Sequence, residues 1–352
     1  MKKVLHIIGT RPQIVKLASV INFKNITFQN LIIDTNQHYQ KNMQADLYDD
    51  FKISKEKITF LENNKNFSND IDAIKELLNI KVCEMNPDLI IIYGDTNTTV
   101  AGALTAKENE ITSIHVESGL RSYIPNQVEE KNRIFVDSIS DYLFCPTLSS
   151  VKNLEKENLH SKSFFTGDIM LDIFLETKNY LDQTIGDKTF PEEFYLFTLH
   201  RKENLEDKNK LHSIVESLYD FPNLIIPIHH SFKNKLVEYD LLESLPENIE
   251  LVDPLVYSDL LLTIKNSKGV ITDSGGLQKE AYWFNKPILT LRENTEWIET
   301  VDSGLNVLVN EFPVNLNNII STINKTKEDR FTTFGNGNAV NNMISKIEEI
   351  LL

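Results

Sequence analysis

Short apolar runs alternate with longer amphipathic segments along most of the chain. "VLHIIG" precedes "PQIVKLASVINFK", "NLIIDT" precedes "KNMQADLYDDF", and "DLIIIYGD" precedes "TTVAGALTAKEN"; "ITSIHVES" and "DYLFCPT" follow. After about residue 190 the rhythm restarts with "FYLFTLH", "NLIIPIH", "IELVDPL", "GVITDSGG", "PILTLR" and "NVLVN", separated by segments such as "KNKLHSIVESLYDF" and "YSDLLLTIKNS". The apolar runs have strand length and β-branched character, and the segments between them carry helical spacing. Such alternation predicts parallel βαβ units covered on both faces. Two series predict an α/β fold of two Rossmann-like, doubly wound domains. The boundaries expected are residues 1–168 and 169–337, with a hinge near "FFTGDIMLDIFLETKNY". The closing segment "AVNNMISKIEEILL" has helical spacing, and a helix at about 338–352 is expected to rejoin the first domain.

Composition narrows the function classes. The 352 residues are 41% apolar and 25% charged, a globular balance, and the formal charge of −15 argues against a general nucleic-acid or anionic-membrane surface. Two cysteines, Cys83 and Cys145, form neither a metal-ligand spacing nor a disulfide framework, so a reducing, cytoplasmic setting is expected. "VLHII" is too short for a signal-peptide core, and no stretch has membrane-spanning length. Only six of the 36 basic residues are arginine: Arg11, Arg121, Arg133, Arg201, Arg292 and Arg330. Arginine offers a planar fork of donors that lysine cannot imitate, which makes these six the candidates for phosphate or carboxylate work.

The chemistry is expected at the carboxyl ends of the strands, where open parallel sheets bind ligands. Four polar motifs fall there. "GTRPQIVK" follows the first strand and sets Arg11 at an open helix N-terminus suited to phosphate. "GDTNTT" puts Asp95 after an apolar strand. "TLHRKEN" does the same for His200, Arg201 and Glu203. "TDSGGLQKEA" sets Asp273, Ser274, Gly275 and Gly276 between a strand and a helix, with Glu280 one turn in as a partner for ribose hydroxyls. A structural reading stands beside each: strand-end Asp and Ser residues cap helices, and the charges of "IHVESGLRSYIPNQVEEKNRIF" suit a solvated loop as well as a site wall. Adjacent His229 and His230 would point to opposite faces of a strand, so a shared metal is not expected. "FGNGNAV" follows no strand and lacks a third glycine, so it reads as a turn.

"GTRPQIVK", "NQHYQKNM", "YGDTNTTVAGALTA", "HVESGLRS", "VEEKNR", "TGDIMLD", "TLHRKEN", "TDSGGLQKEA" and "LRENTEWIE" stand in the order found in the non-hydrolysing UDP-N-acetylglucosamine 2-epimerases. The resemblance runs from residue 5 to about 310, and "FGNGNAV" continues it. It implies a fold like the B-type glycosyltransferases, with the nucleotide in a cleft faced by both domains. It implies a UDP-sugar substrate, epimerisation of UDP-N-acetylglucosamine to UDP-N-acetylmannosamine for surface polysaccharide, a homodimer, and no redox cofactor or metal. The acidic catalytic residues of that family match Asp95, Glu117 and Glu129, and its catalytic histidine matches His200. Its substrate contacts match Arg11, Lys16, Arg133, His229, Ser274, Gly275, Gly276 and Glu280. The alternatives are a 2-epimerase of a modified UDP-sugar such as UDP-2,3-diacetamido-2,3-dideoxyglucuronate, a hydrolysing 2-epimerase, and a B-type glycosyltransferase.

Three positions depart from the family pattern. Gln13 stands where Glu is usual, Val128 replaces a Pro, and Trp297 replaces an Arg. Gln13 and Trp297 are the grounds for the modified-sugar alternative: one fewer negative charge, and an apolar wall, if both face the sugar. No arginine in "LENNKNFSND" matches the one used for regulation by a second UDP-N-acetylglucosamine, so that regulation is not expected.

Overall fold

The fold is described by a computed structural model over residues 1–37, 48–49, 51, 53–61, 70–183, 189–324 and 329–352. Residues 38–43 of "NQHYQKNM" and 62–69 of "LENNKNFSND" lie outside the described residues. The chain divides into two compact units, Met1–Leu175 with Phe331–Leu352, and Glu176–Arg330.

Unit 1 holds a parallel sheet of seven strands: β1 (Lys3–Ile8), β2 (Gln29–Asp34), β3 (Ile58–Phe60), β4 (Leu89–Tyr93), β5 (Ser113–Val116), β6 (Tyr142–Cys145) and β7 (Ser163–Phe165). Their order is β3-β2-β1-β4-β5-β6-β7. β4 and β5 are buried along their full length, as expected of strands covered on both faces. One face is covered by the helix Arg11–Ile21 and by the final helix, Ala339–Leu351, through Ile14, Leu17, Val340, Met343 and Ile347. The helices Ile71–Met85 and Asn97–Glu108 cover the other through Ile74, Leu78, Val100 and Ala103. "FGNGNAV" makes a tight turn that carries the chain back: the Asp168 amide donates to the Phe334 carbonyl, and Asp172 accepts from the amides of Ala339 and Val340.

Unit 2 holds six parallel strands: β8 (Tyr195–Thr198), β9 (Leu224–Pro227), β10 (Ile249–Val252), β11 (Val270–Thr272), β12 (Ile288–Thr290) and β13 (Asn306–Leu308). Their order, β10-β9-β8-β11-β12-β13, is the doubly wound Rossmann order. In both sheets the strand order reverses beside the first strand of the unit, between β1 and β4 and between β8 and β11. Ligand crevices form at such reversals because the connecting helices depart to opposite faces. The loops leaving β1, β4, β8 and β11 carry the four polar motifs.

Candidate active site

Each unit builds its own cluster at these strand ends. In unit 1, Gly9 follows β1 and lies against the hydroxyl pair Thr35 and Thr98, which are 2.6 Å apart. A Cβ at Gly9 would meet both hydroxyls at 2.5 Å or less, so only glycine lets the chain pass there. Arg11 then opens the helix Arg11–Ile21.

Gln13 does not face a ligand. Its side chain is 2% exposed. Its Oε1 accepts from the amides of Gly9 and Thr10, and its Nε2 donates to the Tyr93 carbonyl at 2.7 Å and to the hydroxyls of Thr96 and Thr99. It ties the exit of β1 to the exit of β4. The expectation of a charge difference beside the sugar is therefore corrected: the carboxamide is consumed by the fold.

Asp95 and Glu117 leave neighbouring strands, since Tyr93 of β4 pairs with Val116 of β5. Glu117 has φ +74, a left-handed conformation that an ordinary side chain adopts at a cost. The amides of Glu117 and Ser118 share the Phe144 carbonyl as acceptor, which holds the turn. Glu117 forms an ion pair with Lys16. Asp95 forms one with Arg133, at 2.5 Å, and the Asp95 carbonyl accepts from Asn132. Lys16 and Arg133 thus face the candidate catalytic carboxylates directly.

Glu129 and Glu130 open the helix Val128–Ile139 and separate completely in environment. Glu130 is buried and accepts from the Ser122 amide and hydroxyl, the Tyr123 amide and Arg133. Glu129 is half-buried and has no side-chain partner among the described residues.

Behind Glu117 lies an ionic cluster, buried except for Glu157, that sequence reasoning did not assemble. Arg121 grips both oxygens of Glu157, at 2.7 and 2.6 Å, and reaches Asp137 at 2.8 Å. Asp137 also faces His115 at 2.7 Å. Burial pushes the Asp137 carboxyl up, but His115 and Arg121 outweigh it and hold it below the usual carboxylate range. "HVESGLRS" supplied the signal for two of these positions, His115 and Arg121; their partners Asp137 and Glu157 lie on other elements.

In unit 2, Asp273 follows β11 and is fully buried. It accepts from the amides of His200 and Arg201 and from the Asn204 side chain, and it faces His200 Nδ1 at 2.9 Å. Burial pushes Asp273 up; the His200 charge and the hydrogen bonds from His200 and Arg201 outweigh it and bring the pKa to about 2. The His200 ring is 40% exposed and adjoins the exposed His229 ring, with centroids 6.0 Å apart. His229 caps the helix His230–Glu238. Among the described residues no group of three His, Cys, Asp or Glu side chains stands close enough to hold a metal ion.

Ser274 caps the helix Gly275–Trp283, and its side chain accepts from the Leu277 amide. A Cβ at Gly275 would meet Glu296 Oε1 at 2.6 Å, so Gly275 lets this carboxylate lie against the helix start. Gly276 is open on that side, and Glu280 is buried one turn on. The helix start thus offers amide donors flanked by a hydroxyl, the local chemistry of a phosphate site. Trp297 is 2% exposed, with the Lys279 ammonium 3.8 Å from its ring centroid. It does not supply the open apolar wall expected of it.

A UDP-N-acetylglucosamine 2-epimerase family model matches residues 22–348. A UDP-N-acetylglucosamine 2-epimerase homolog of Methanococcus maripaludis is 36% identical over 349 residues, covering 96% of this chain and 97% of the relative. The UDP-2,3-diacetamido-2,3-dideoxy-D-glucuronate 2-epimerase of Pseudomonas aeruginosa is 33% identical over 348 residues, covering 96% and 97%. The crystal structure of the Methanocaldococcus jannaschii UDP-GlcNAc 2-epimerase, in complex with UDP-GlcNAc and UDP, superposes with a TM-score of 0.86 at 31% identity and covers 99% of both chains.

Proposed function

The chain belongs to the UDP-N-acetylglucosamine 2-epimerase family and is an isomerase; from that membership we propose that it interconverts UDP-N-acetylglucosamine and UDP-N-acetylmannosamine by eliminating and re-adding UDP. The observation that carries this reading is the pairing in unit 1: two carboxylates on adjacent strand ends, each oriented by its own cation, with a third, Glu129, left unpartnered nearby in sequence.

The chemistry explains why such a set is needed. The C2 proton of an acetamido sugar has no adjacent carbonyl to make it acidic. Loss of UDP from C1 with removal of the C2 proton gives a 2-acetamidoglucal, and UDP returns as C2 is protonated from the other side. The scheme needs a base and an acid at one carbon, drawn here from Asp95, Glu117 and Glu129. It needs donors for the departing diphosphate, drawn from Arg11, His200, His229 and the Ser274–Gly276 helix start, with Glu280 on the ribose. Lys16 and Arg133, matched to substrate contacts by resemblance, act here chiefly by aiming Glu117 and Asp95. The product is proposed to feed surface polysaccharide, and the enzyme to work as a cytoplasmic homodimer. No helix among the described residues is long and apolar enough to cross a membrane.

The modified-sugar alternative loses its support from Gln13 and Trp297 and keeps the likeness to the Pseudomonas relative. Side-by-side kcat/KM for the two UDP-sugars decides it, with the N-acetylglucosamine substrate expected to be preferred. The elimination is tested by incubating UDP-N-acetylglucosamine with the pure protein in heavy water and reading the product by NMR. Deuterium is expected at C2 of both epimers. Epimerisation without it overturns the scheme, and release of free sugar or transfer to an acceptor would favour the hydrolase or the glycosyltransferase.

A further inference from the structure

We propose that His115 is a positioning residue that carries a proton on both ring nitrogens and clamps together the two strand ends presenting Asp95 and Glu117. The inference rests on the catalytic reading of those carboxylates, but its first test does not.

Each ring nitrogen of His115 faces an atom that only accepts. Nδ1 stands 2.7 Å from Asp137 Oδ1, and Nε2 stands 2.7 Å from the Gly94 carbonyl oxygen. A carbonyl cannot donate, and neither can an ionised carboxylate. The other oxygen of Asp137 accepts from the Arg121 guanidinium at 2.8 Å and from the Gly119 amide at 3.1 Å, donors that favour the ionised form without any help from His115. A neutral imidazole would leave one nitrogen lone pair pointed at an oxygen lone pair inside a fully buried site, where nothing else can relieve it. Two N–H donors satisfy both contacts.

Charge counting agrees. Arg121 meets Asp137 and Glu157, one cation against two carboxylates. Glu157 is exposed and shares its charge with solvent, and a charged His115 brings the set of four to neutrality. Two other titratable groups feel it: Cys145, whose thiol burial and the Asp137 charge push up to about 12, and Lys162, whose pKa burial lowers against the attraction of Asp137 and Asp141. The Lys162 ammonium donates to the carbonyls of Ser138 and Ser140 rather than to Asp137.

The clamp reaches the candidate chemistry by short paths. Gly94 immediately precedes Asp95, and its amide donates to the Val116 carbonyl while its carbonyl accepts from His115. The second oxygen of Asp137 accepts from the Gly119 amide, two residues beyond Glu117. The ring therefore links the β4 exit, the β5 exit and the helix Val128–Ile139, which carries Glu129, Arg133 and Asp137. A residue that holds the strained Glu117 turn in register with Asp95 fixes the spacing of two carboxylates that must act on one carbon. Displacements of about 1 Å in such a constellation cost about 10²-fold in rate.

The test uses the full chain with 15N-labelled histidine at neutral pH, and His115→Gln to assign its signals among the eight histidines. Two bonded N–H protons on the His115 ring are expected; a neutral single tautomer overturns the proposal. In the second arm, His115→Gln is expected to lower kcat about 10²-fold while UDP affinity changes less than about threefold. Unchanged kcat in a folded His115→Gln protein also overturns it. If that variant does not fold, the His115 signals are assigned by elimination through replacement of the other seven histidines, and the wild-type spectrum still decides. A doubly protonated ring in a protein without epimerase activity would refute the catalytic reading and leave the clamp standing.

Discussion

Each unit holds a histidine–aspartate pair, His115 of β5 with Asp137 of the helix Val128–Ile139, and His200 after β8 with Asp273 after β11, and the two differ in one respect that separates their surroundings. His115–Asp137 in unit 1 is sealed, with both ring nitrogens and both carboxylate oxygens occupied. His200–Asp273 in unit 2 has the same Nδ1-to-carboxylate contact, but its ring stands half in solvent. In the first pair the imidazole is spent on the backbone. In the second the carboxylate is held by amides of the chain and Asn204, and the imidazole edge stays exposed. Chemical identity does not decide which histidine is open to solvent; the partners of the second nitrogen do.

The strongest way to break this comparison is His200→Gln. Turnover is expected to fall about 10²- to 10⁴-fold with the thermal midpoint nearly unchanged, because the lost ring is exposed. Asp273→Asn should damage both turnover and stability, since it unbalances a buried acceptor of several hydrogen bonds. Equal behaviour of the two variants would refute the distinction between open ligand group and buried anchor.

The neighbours Glu129 and Glu130 sharpen it within one helix. Glu130→Gln removes a buried partner of Arg133 and is expected to cost about 3–5 kcal/mol in denaturant unfolding. Glu129→Gln should leave stability within about 0.5 kcal/mol and lower turnover about 10²-fold. A reversed pattern would move the acid–base role to Glu130.

Acid titration compares the units as wholes. The pKa of Asp273 is about 2, below the unfolded 3.8, so its contribution is full above pH 3.8 and is lost as pH falls toward 2. That loss is about 2 kcal/mol for unit 2. Unit 1 carries opposing groups. Burial lowers His6 to about 4 against its Asn30 hydrogen bond, so its contribution is full above pH 6.5 and fades toward 4. Burial raises Asp172 to about 6 against two amide hydrogen bonds, so its contribution is full below 3.8 and is lost as pH rises through 6. The two offset each other across one window. Both tryptophans lie in unit 2, so their fluorescence reports that unit alone. It should stay flat down to about pH 4 and then change, and Asp273→Asn should reduce that change, leaving the part due to exposed Asp182, which the hydrogen bonds from Lys178 and Lys265 also bring to about 2.

Gln13→Glu is expected to destabilise by about 1–3 kcal/mol, because a carboxylate would face the Tyr93 carbonyl where an amide now donates, and to leave the choice of sugar unaltered. A tenfold change in sugar preference would return Gln13 to the site. Ser274→Ala should have the smallest effect, about 1 kcal/mol from the lost cap, with weaker UDP binding in calorimetry.

The sequence by itself determined the architecture. Fully buried strands need unbroken apolar runs and their helices need apolar residues at helical spacing, and both are local patterns along the chain. The two strands that left no such mark, Ile58–Phe60 and Ser163–Phe165, are three-residue edges, each with only its first or none of its residues buried. The loops that follow β1, β4, β8 and β11 were legible for the same reason, since each begins where an apolar run stops. What those side chains do was decided by tertiary structure. Nothing local tells Glu129 from Glu130, or His115 from His200, or shows that Lys16 and Arg133 would meet Glu117 and Asp95. Those assignments follow from which strand ends lie side by side in a sheet and which charges the fold strips of water. A charge deprived of solvent takes whatever partner the neighbouring element presents.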